Sequence, residues 1–113
     1  MADRPLVVIE VPWSGMTHKN AQKEIVYLRG CLRDSLAHNE LPWSAHGLLH
    51  QTMALYDSDE EQLAEAVLVA RQMVTKADCV IFYIDHRYTQ QMRDMATWAS
   101  MQGKPILRRT LYS

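Results

Sequence analysis

Two periodicities divide the chain. Leu6 to Val11 is a β-branched, apolar run bounded by Pro5 and Pro12, which predicts a short strand covered on both faces. Cys79 to Ile84 is a second run of the same kind. Between them the spacing turns helical. Ala21, Ile25, Leu28, Leu32 and Leu36 recur at three- and four-residue steps, which predicts a helix from His18 to about Ala37, with Thr17 before it as a capping residue. A short strand is expected at Glu40 and Leu41, stopped by Pro42. Leu48 to Tyr56 reads equally as a short helix or an ordered loop. Asp57 to Gln62 is a helix-start signal, in which Ser58 with Glu61 or Asp59 with Gln62 can form a capping box. Leu63, Val67, Ala70, Val74 and Ala77 then mark the buried stripe of a helix to about Lys76. Gln90 to Gln102 has Met92, Met95, Ala96 and Ala99 on one face, Gly103 closes it, and Ile106 to Arg109 reads as a last, edge strand.

The order β-α-β-(α)-α-β-α-β predicts an α/β domain: a four-stranded parallel sheet with helices on both faces. No repeat, low-complexity stretch or linker interrupts residues 1–113, so they read as a single domain. In open sheets of this kind, ligands sit beyond the carboxyl ends of the strands, where the strand order reverses. That rule selects three loops: Pro12 to Thr17, Pro42 to Gly47 and Asp85 to Gln90.

Composition narrows the function. With 12 basic and 13 acidic residues and a net charge of −1, the chain has no cationic excess for a phosphate backbone, so a nucleic-acid partner is not expected. No apolar run is long enough to span a bilayer, and neither a membrane partner nor a signal peptide is read. Cys31 and Cys79 make no disulfide framework or zinc site by themselves, and their apolar surroundings predict reduced, buried thiols. These readings together predict a cytoplasmic protein.

In the first loop, Ser14 and Gly15 precede a helix whose free backbone N–H groups can hold an anion, although Ser-Gly is also ordinary turn chemistry. Two Pro-Trp pairs, Pro12-Trp13 and Pro42-Trp43, place an indole in each of two loops. The indoles either border one cleft and stack on a flat ring, or pack as lids on the core. His46 is a donor or acid-base candidate, against the reading of a helix-capping or core histidine. His50 follows four residues on, but no nearby carboxylate or cysteine completes a metal set, and no metal or cofactor is expected. The third loop is richest, with Tyr83, Asp85, His86, Tyr88, Thr89 and Gln90 at the end of the strongest strand and Asp94 one turn into the next helix. Asp78 lies at the opposite end of the sheet and reads as a turn or cap residue. Arg108 and Arg109 either serve a phosphate or form a solvated pair near the C-terminus.

Val-Pro-Trp-Ser-Gly15, Asn20, Pro-Trp-Ser-Ala-His46, Asp85, Thr-Gln-Gln-Met92 and Gly-Lys-Pro-Ile106, in that order, resemble the nucleoside 2-deoxyribosyltransferase-like superfamily. The likeness is greatest to its small branch of phage and prophage proteins. The resemblance implies a Rossmann-like three-layer domain, commonly oligomeric, acting on the N-glycosidic bond of deoxynucleosides or deoxynucleotides through a glutamate. It implies ligand contacts from Pro12, Trp13, Ser14, Gly15, Asn20, His46, Asp85 and Met92, to which the loop readings add Trp43, Tyr83, Thr89 and Gln90.

The departures from the family are chemical. The glutamate's place, three residues after Met92, holds Met95. Gln91 stands where a Gly precedes that Met, and Leu63 stands where an Arg is typical. A thioether neither attacks a sugar carbon reversibly nor stabilises an oxocarbenium ion. Met95 also fits the apolar stripe of its helix, and a one-residue shift in alignment would put Asp94 in the glutamate's place.

Three functions follow as expectations. The first is a non-catalytic binder of a nucleotide-like small molecule, in its phage setting a sponge for a defence-signalling nucleotide. The second is a deoxynucleoside or deoxynucleotide N-glycosidase or transferase using Asp94 or Asp85, assisted by His46 or Tyr83. The third is an inhibitor module that binds a protein, for which seven methionines supply adaptable surface. A homo-oligomer, dimer or larger, is expected with each.

Overall fold

The computed structural model describes residues 3–112. The chain runs β1 (Leu6–Glu10), α1 (Ala21–Ala37), β2 (Leu41–Trp43), a single π-helical turn (His46–His50), α2 (Glu60–Lys76), β3 (Cys79–Tyr83), α3 (Gln90–Met101) and β4 (Ile106–Arg109). The four strands form one parallel sheet in the order β2-β1-β3-β4. This is the expected α/β architecture, Rossmann-like and three-layered.

Alternation along β1 sorts the core into two layers. Val7, Ile9 and Val11 face α1, where they meet Tyr27, Leu28, Cys31, Ile81 and Tyr83. Val8 faces the other way, to Ala70 and Val74 of α2, Val80 and Phe82 of β3, and Met92, Met95 and Ala99 of α3. The last residue of β1, Glu10, shares the parity of Val8 and so points to the α2–α3 side.

Several boundaries differ from the pattern-based reading. β2 is not stopped by Pro42 but contains it, in register with Val7. An edge strand tolerates a proline because its missing N–H removes no ladder bond there. α1 starts at Ala21 rather than His18, because Gly15 to Ala21 is spent on two tight turns, His18 N–H to Gly15 O at 3.1 Å and Ala21 N–H to His18 O at 3.0 Å. Asn20, not Thr17, occupies the capping position. The α1 stripe also swings: Leu36 is exposed, and Tyr27, Cys31 and Ser35 are buried instead. Asp59 caps α2 by accepting the Gln62 N–H at 3.1 Å. Asp78 accepts the Leu6 N–H at 2.8 Å and ties the start of β1 to β3.

Cys31 is buried and Cys79 half-buried, and both are free thiols. Among the described residues no helix is long and apolar enough to cross a membrane.

Candidate functional site

The chain leaves β1 for β2 on one side and then crosses to β3 on the other, so strand order reverses at β1. A cavity of about 430 Å³ opens there, bounded by the end of β1, the π-helical turn, α2 and the first turns of α3. This volume falls within the range of small-molecule sites. Its walls are mostly apolar: Ala45, Leu63, Ala66, Val67, Ala70 and Met95. Its polar groups are Glu10, His46, His50, Arg71, Gln90, Gln91 and Asp94.

Glu10 is the unusual member. It is only 5% exposed, and desolvation alone, with no hydrogen bond or charge acting on it, sets the state of its carboxyl. Burial without a compensating partner disfavours the charged form and pushes its pKa up to about 8, so at neutral pH it is mainly a neutral acid. His46 is 4% exposed, and burial, reinforced by the neighbouring His50, pushes its pKa down to about 3. The ring is therefore neutral, and its Nδ1 is sealed without a partner, as is Nε of Arg71. His50 instead directs Nδ1 to the Leu55 carbonyl at 3.1 Å. The two imidazoles stack at 5.5 Å between centroids rather than converging on a point. Among the described residues no group of three or more His, Cys, Asp or Glu gathers with metal-ligand geometry.

The structure distributes the anticipated site residues unevenly. His46, Gln90 and Asp94 line the β1 cavity together. Asp94 is exposed and accepts from Gln90 Nε2 at 2.8 Å. Trp13 reaches the edge of this site by stacking on His46. Thr89 is occupied elsewhere, since its hydroxyl caps α3 by accepting the Met92 N–H at 3.2 Å. Met92 is core, with its sulfur 3.5 Å from the Thr89 N–H.

Four expectations need correction. Trp43 does not pair with Trp13 across a cleft; it packs against the α2–α3 core layer, because its place in β2 points it there. Tyr83 faces α1 and donates to Asp34 at 2.6 Å, on the side of the sheet away from the cavity. Asp85 is fully engaged: it accepts from the Tyr27 hydroxyl at 2.5 Å and from the Leu111 and Tyr112 N–H groups at 2.9 Å each. These donors hold its pKa low despite burial, so it serves as a clamp on the C-terminal segment.

The fourth correction concerns the anion-binding reading of the first loop. Three of its donors are already taken by carboxylates. The Ser14 N–H and hydroxyl go to Glu24 at 2.8 and 3.0 Å, and the Met16 N–H goes to Asp57 at 2.9 Å. Gly15 makes the loop possible with a φ of 116°, a region L side chains rarely adopt.

Pro12 and Asn20 line a separate cavity of about 440 Å³ on the α1 side, with Lys23, Tyr27 and His86. Arg87 crosses its rim, donating to Ser14 Oγ at 2.6 Å and pairing with Glu24 at 3.0 Å. Arg109 is not a solvated tail residue, since both its terminal nitrogens bind Glu40, at 2.7 and 2.9 Å. Arg108 lies over the Tyr88 ring, 5.6 Å from its centroid.

Sequence reasoning misses Glu10, Glu24, Asp57 and Arg71. For Glu10 a signal exists: it is the one charged residue within an otherwise apolar strand, at that strand's carboxyl end. Asp57 is absorbed into a helix-start pattern, and its partnership with Trp13, 44 positions away, leaves no local trace. No significant match to the chain was found among curated proteins. The profile of the DUF7768 family, described as a domain of unknown function, matches residues 5–109. That span takes in every strand and helix of the described residues and the two cavities described above, and the chain belongs to the DUF7768 family.

Proposed function

We propose that the protein binds a nucleotide-like small molecule in the β1 cavity and does not turn it over. The observation that carries this reading is Glu10: a nearly buried carboxyl facing an apolar cavity at the reversal of strand order. A hydrogen bond from a ligand to this carboxyl would contribute on the order of 1 kcal/mol. The lack of turnover is supported by Met95, whose thioether lines the same cavity where the resemblance to deoxyribosyltransferases calls for a glutamate. A binder of this kind suits sequestration of a signalling nucleotide.

A second reading has a specific observation in its favour. Glu10 and Asp94 both line the cavity, and cleavage of a glycosidic bond uses two carboxyl groups in unlike protonation states. In an N-glycosidase, the neutral Glu10 would act as acid and Asp94 as nucleophile or base.

Mass spectrometry of small molecules released from the purified protein tests both readings, followed by calorimetry with deoxynucleoside monophosphates, cyclic dinucleotides and ADP-ribose. An intact bound nucleotide supports the binder. Free base that appears on incubation, and disappears in Asp94→Asn, supports the enzyme. A protein that arrives empty and binds none of these compounds refutes the binding reading.

A further inference from the structure

Glu10 sits where its charge has little support. Ala45, Ala66, Ala70 and Met95, which line the cavity with it, are apolar, and its partner in register on β3 is Phe82. The charged or titratable groups facing the cavity are His46 and His50 from the π-helical turn, Arg71 from α2 and Asp94 from α3. His46 is neutral. The Arg71 guanidinium lies over the Trp98 ring, 5.7 Å from its centroid. Asp94 is an acid and gives no support to a second negative charge. Desolvation therefore decides the state of Glu10.

We propose that Glu10 meets its ligand as a neutral carboxylic acid and pairs with an edge that sets a ring acceptor beside an exocyclic N–H donor, the amidine edge of a nucleobase-like heterocycle. This rests on the small-molecule reading of the same cavity and names the chemistry the ligand must carry.

A neutral carboxyl presents one O–H donor beside one carbonyl acceptor. An adenine- or cytosine-type edge offers the complement, a bare ring nitrogen beside an amino group, so two hydrogen bonds close in one planar ring. An ionised carboxylate only accepts, and it would set its lone pairs against the ring nitrogen. Discrimination is steep because a mispaired edge leaves buried polar atoms on both partners. A glutamine at this position carries the same donor–acceptor pair at every pH.

The test is calorimetry of the wild-type protein and Glu10→Gln with adenosine and with purine riboside, which keeps the ring and lacks the amino donor. Each is measured at pH 6.5 and pH 9.0, with a carbon-13 titration of the Glu10 carboxyl alongside. Adenosine should bind the wild type about tenfold more weakly at pH 9.0, the fraction by which a group with a pKa of about 8 loses its proton. Glu10→Gln should bind adenosine equally at both values. Purine riboside should bind the wild type at least about tenfold more weakly than adenosine at pH 6.5, about the loss of one buried hydrogen bond.

Adenosine binding that ignores pH in the wild type, or equals that of purine riboside, overturns the pairing and leaves the cavity as a binding site. If neither riboside binds, the pairing is overturned, and the co-purified ligand then decides the wider reading independently. A Glu10 carboxyl that titrates below pH 6 overturns the neutral state without reference to any ligand.

Discussion

The indole of Trp13 lies nearly flat on the imidazole of His46, with ring centroids 5.0 Å apart and planes 9° from parallel. The contact joins the loop after β1 to the turn after β2, and so fixes one wall of the cavity relative to the strand that ends in Glu10. Asp57 holds the indole from outside, accepting the Trp13 Nε1–H at 2.9 Å and the Met16 N–H at 2.9 Å with the same oxygen. One carboxylate therefore orders both the stacked ring and the Gly15 turn beside it.

Asp57→Ala should remove both bonds and leave two half-buried donors without a partner. The expected loss is about 2 kcal/mol, typical of unmaking a charge-assisted pair, read as a lower urea midpoint at unchanged slope. Asp57→Asn retains an acceptor oxygen and should lose roughly half as much. A urea midpoint for Asp57→Ala that equals the wild type would mean that the stack holds itself and Asp57 is ornamental.

Glu10 and His46 together set the shape of stability against pH. Glu10 has its folded pKa raised from 4.5 to about 8, so the folded form holds a proton that the unfolded chain releases. Its contribution is complete below pH 4.5 and is lost as pH rises through 8. His46 has its pKa lowered from 6.5 to about 3, so the unfolded chain takes up a proton that the folded form refuses. Its contribution is complete above pH 6.5 and is lost as pH falls towards 3. The two slopes cancel between pH 4.5 and 6.5, where stability should be flat and maximal. Glu10→Gln should abolish the fall between pH 6.5 and 8, leaving only the fall above pH 9 that the raised thiol pKa of Cys31 brings, and should stabilise the protein at pH 7 by on the order of 3 kcal/mol. Chemical denaturation at half-unit pH steps reads both limbs, and a fall between pH 6.5 and 8 that survives in Glu10→Gln would assign it to another group.

What the sequence makes legible follows from locality. β1, β3 and the stripe of α3 are dictated by neighbours two to four positions apart, and they appear where the pattern puts them, while in α2 Ala70, Val74 and Ala77 are buried as expected but Ala66 takes the place of Leu63 and Val67. β2 is misplaced by the pattern because Pro42 usually ends a strand, and only the strand's edge position, a tertiary fact, makes it tolerable there. The same limit divides the site. His46, Gln90 and Asp94 are found because the rule about strand ends needs only the order of elements. Trp43, Tyr83 and Asp85 are assigned to the site by proximity in sequence, and the pleat or a remote donor sends each elsewhere. The donors that occupy Asp85 are the Tyr27 hydroxyl and the Leu111 and Tyr112 amides, up to 58 positions away. Glu10 shows the reverse failure: a strand read by its average hides the one residue that departs from it.

Asp85 carries a prediction about order rather than chemistry. Asp85→Asn should release the C-terminal segment, because an amide offers one accepting oxygen where the carboxylate offers two to the Leu111 and Tyr112 N–H groups. Amide hydrogen exchange at those two positions should quicken at least about tenfold, as expected for the loss of about 1.4 kcal/mol of local protection, while exchange in β1 stays unchanged. Because the Asp85 pKa is lowered on folding, the clamp holds above the ordinary carboxylate range and weakens as pH falls below it. Any binding at the β1 cavity should survive the substitution, and its loss would return Asp85 to the site.

The pair between Arg109 and Glu40 separates the cost of breaking an ion pair from its worth. The guanidinium forks onto the carboxylate at 2.7 and 2.9 Å, with side chains 19% and 9% exposed. Ser35 donates to the same carboxylate at 2.7 Å, and the Arg109 fork also touches the Tyr83 hydroxyl at 3.4 Å. Arg109, first, and then Ser35 draw the Glu40 pKa down against its burial. Arg109→Met leaves a nearly buried carboxylate with one neutral donor, and should cost roughly 3 kcal/mol at pH 7. Lowering the pH should narrow that loss, since a protonated Glu40 no longer needs the cation. The double variant Arg109→Met with Glu40→Leu removes both charges and fills part of their volume, so it should be more stable than Arg109→Met alone. A double-mutant cycle in urea reads this directly. If the double variant loses the sum of the single losses, the two residues act independently, and the fork that joins the end of β4 to the start of β2 contributes nothing as a pair.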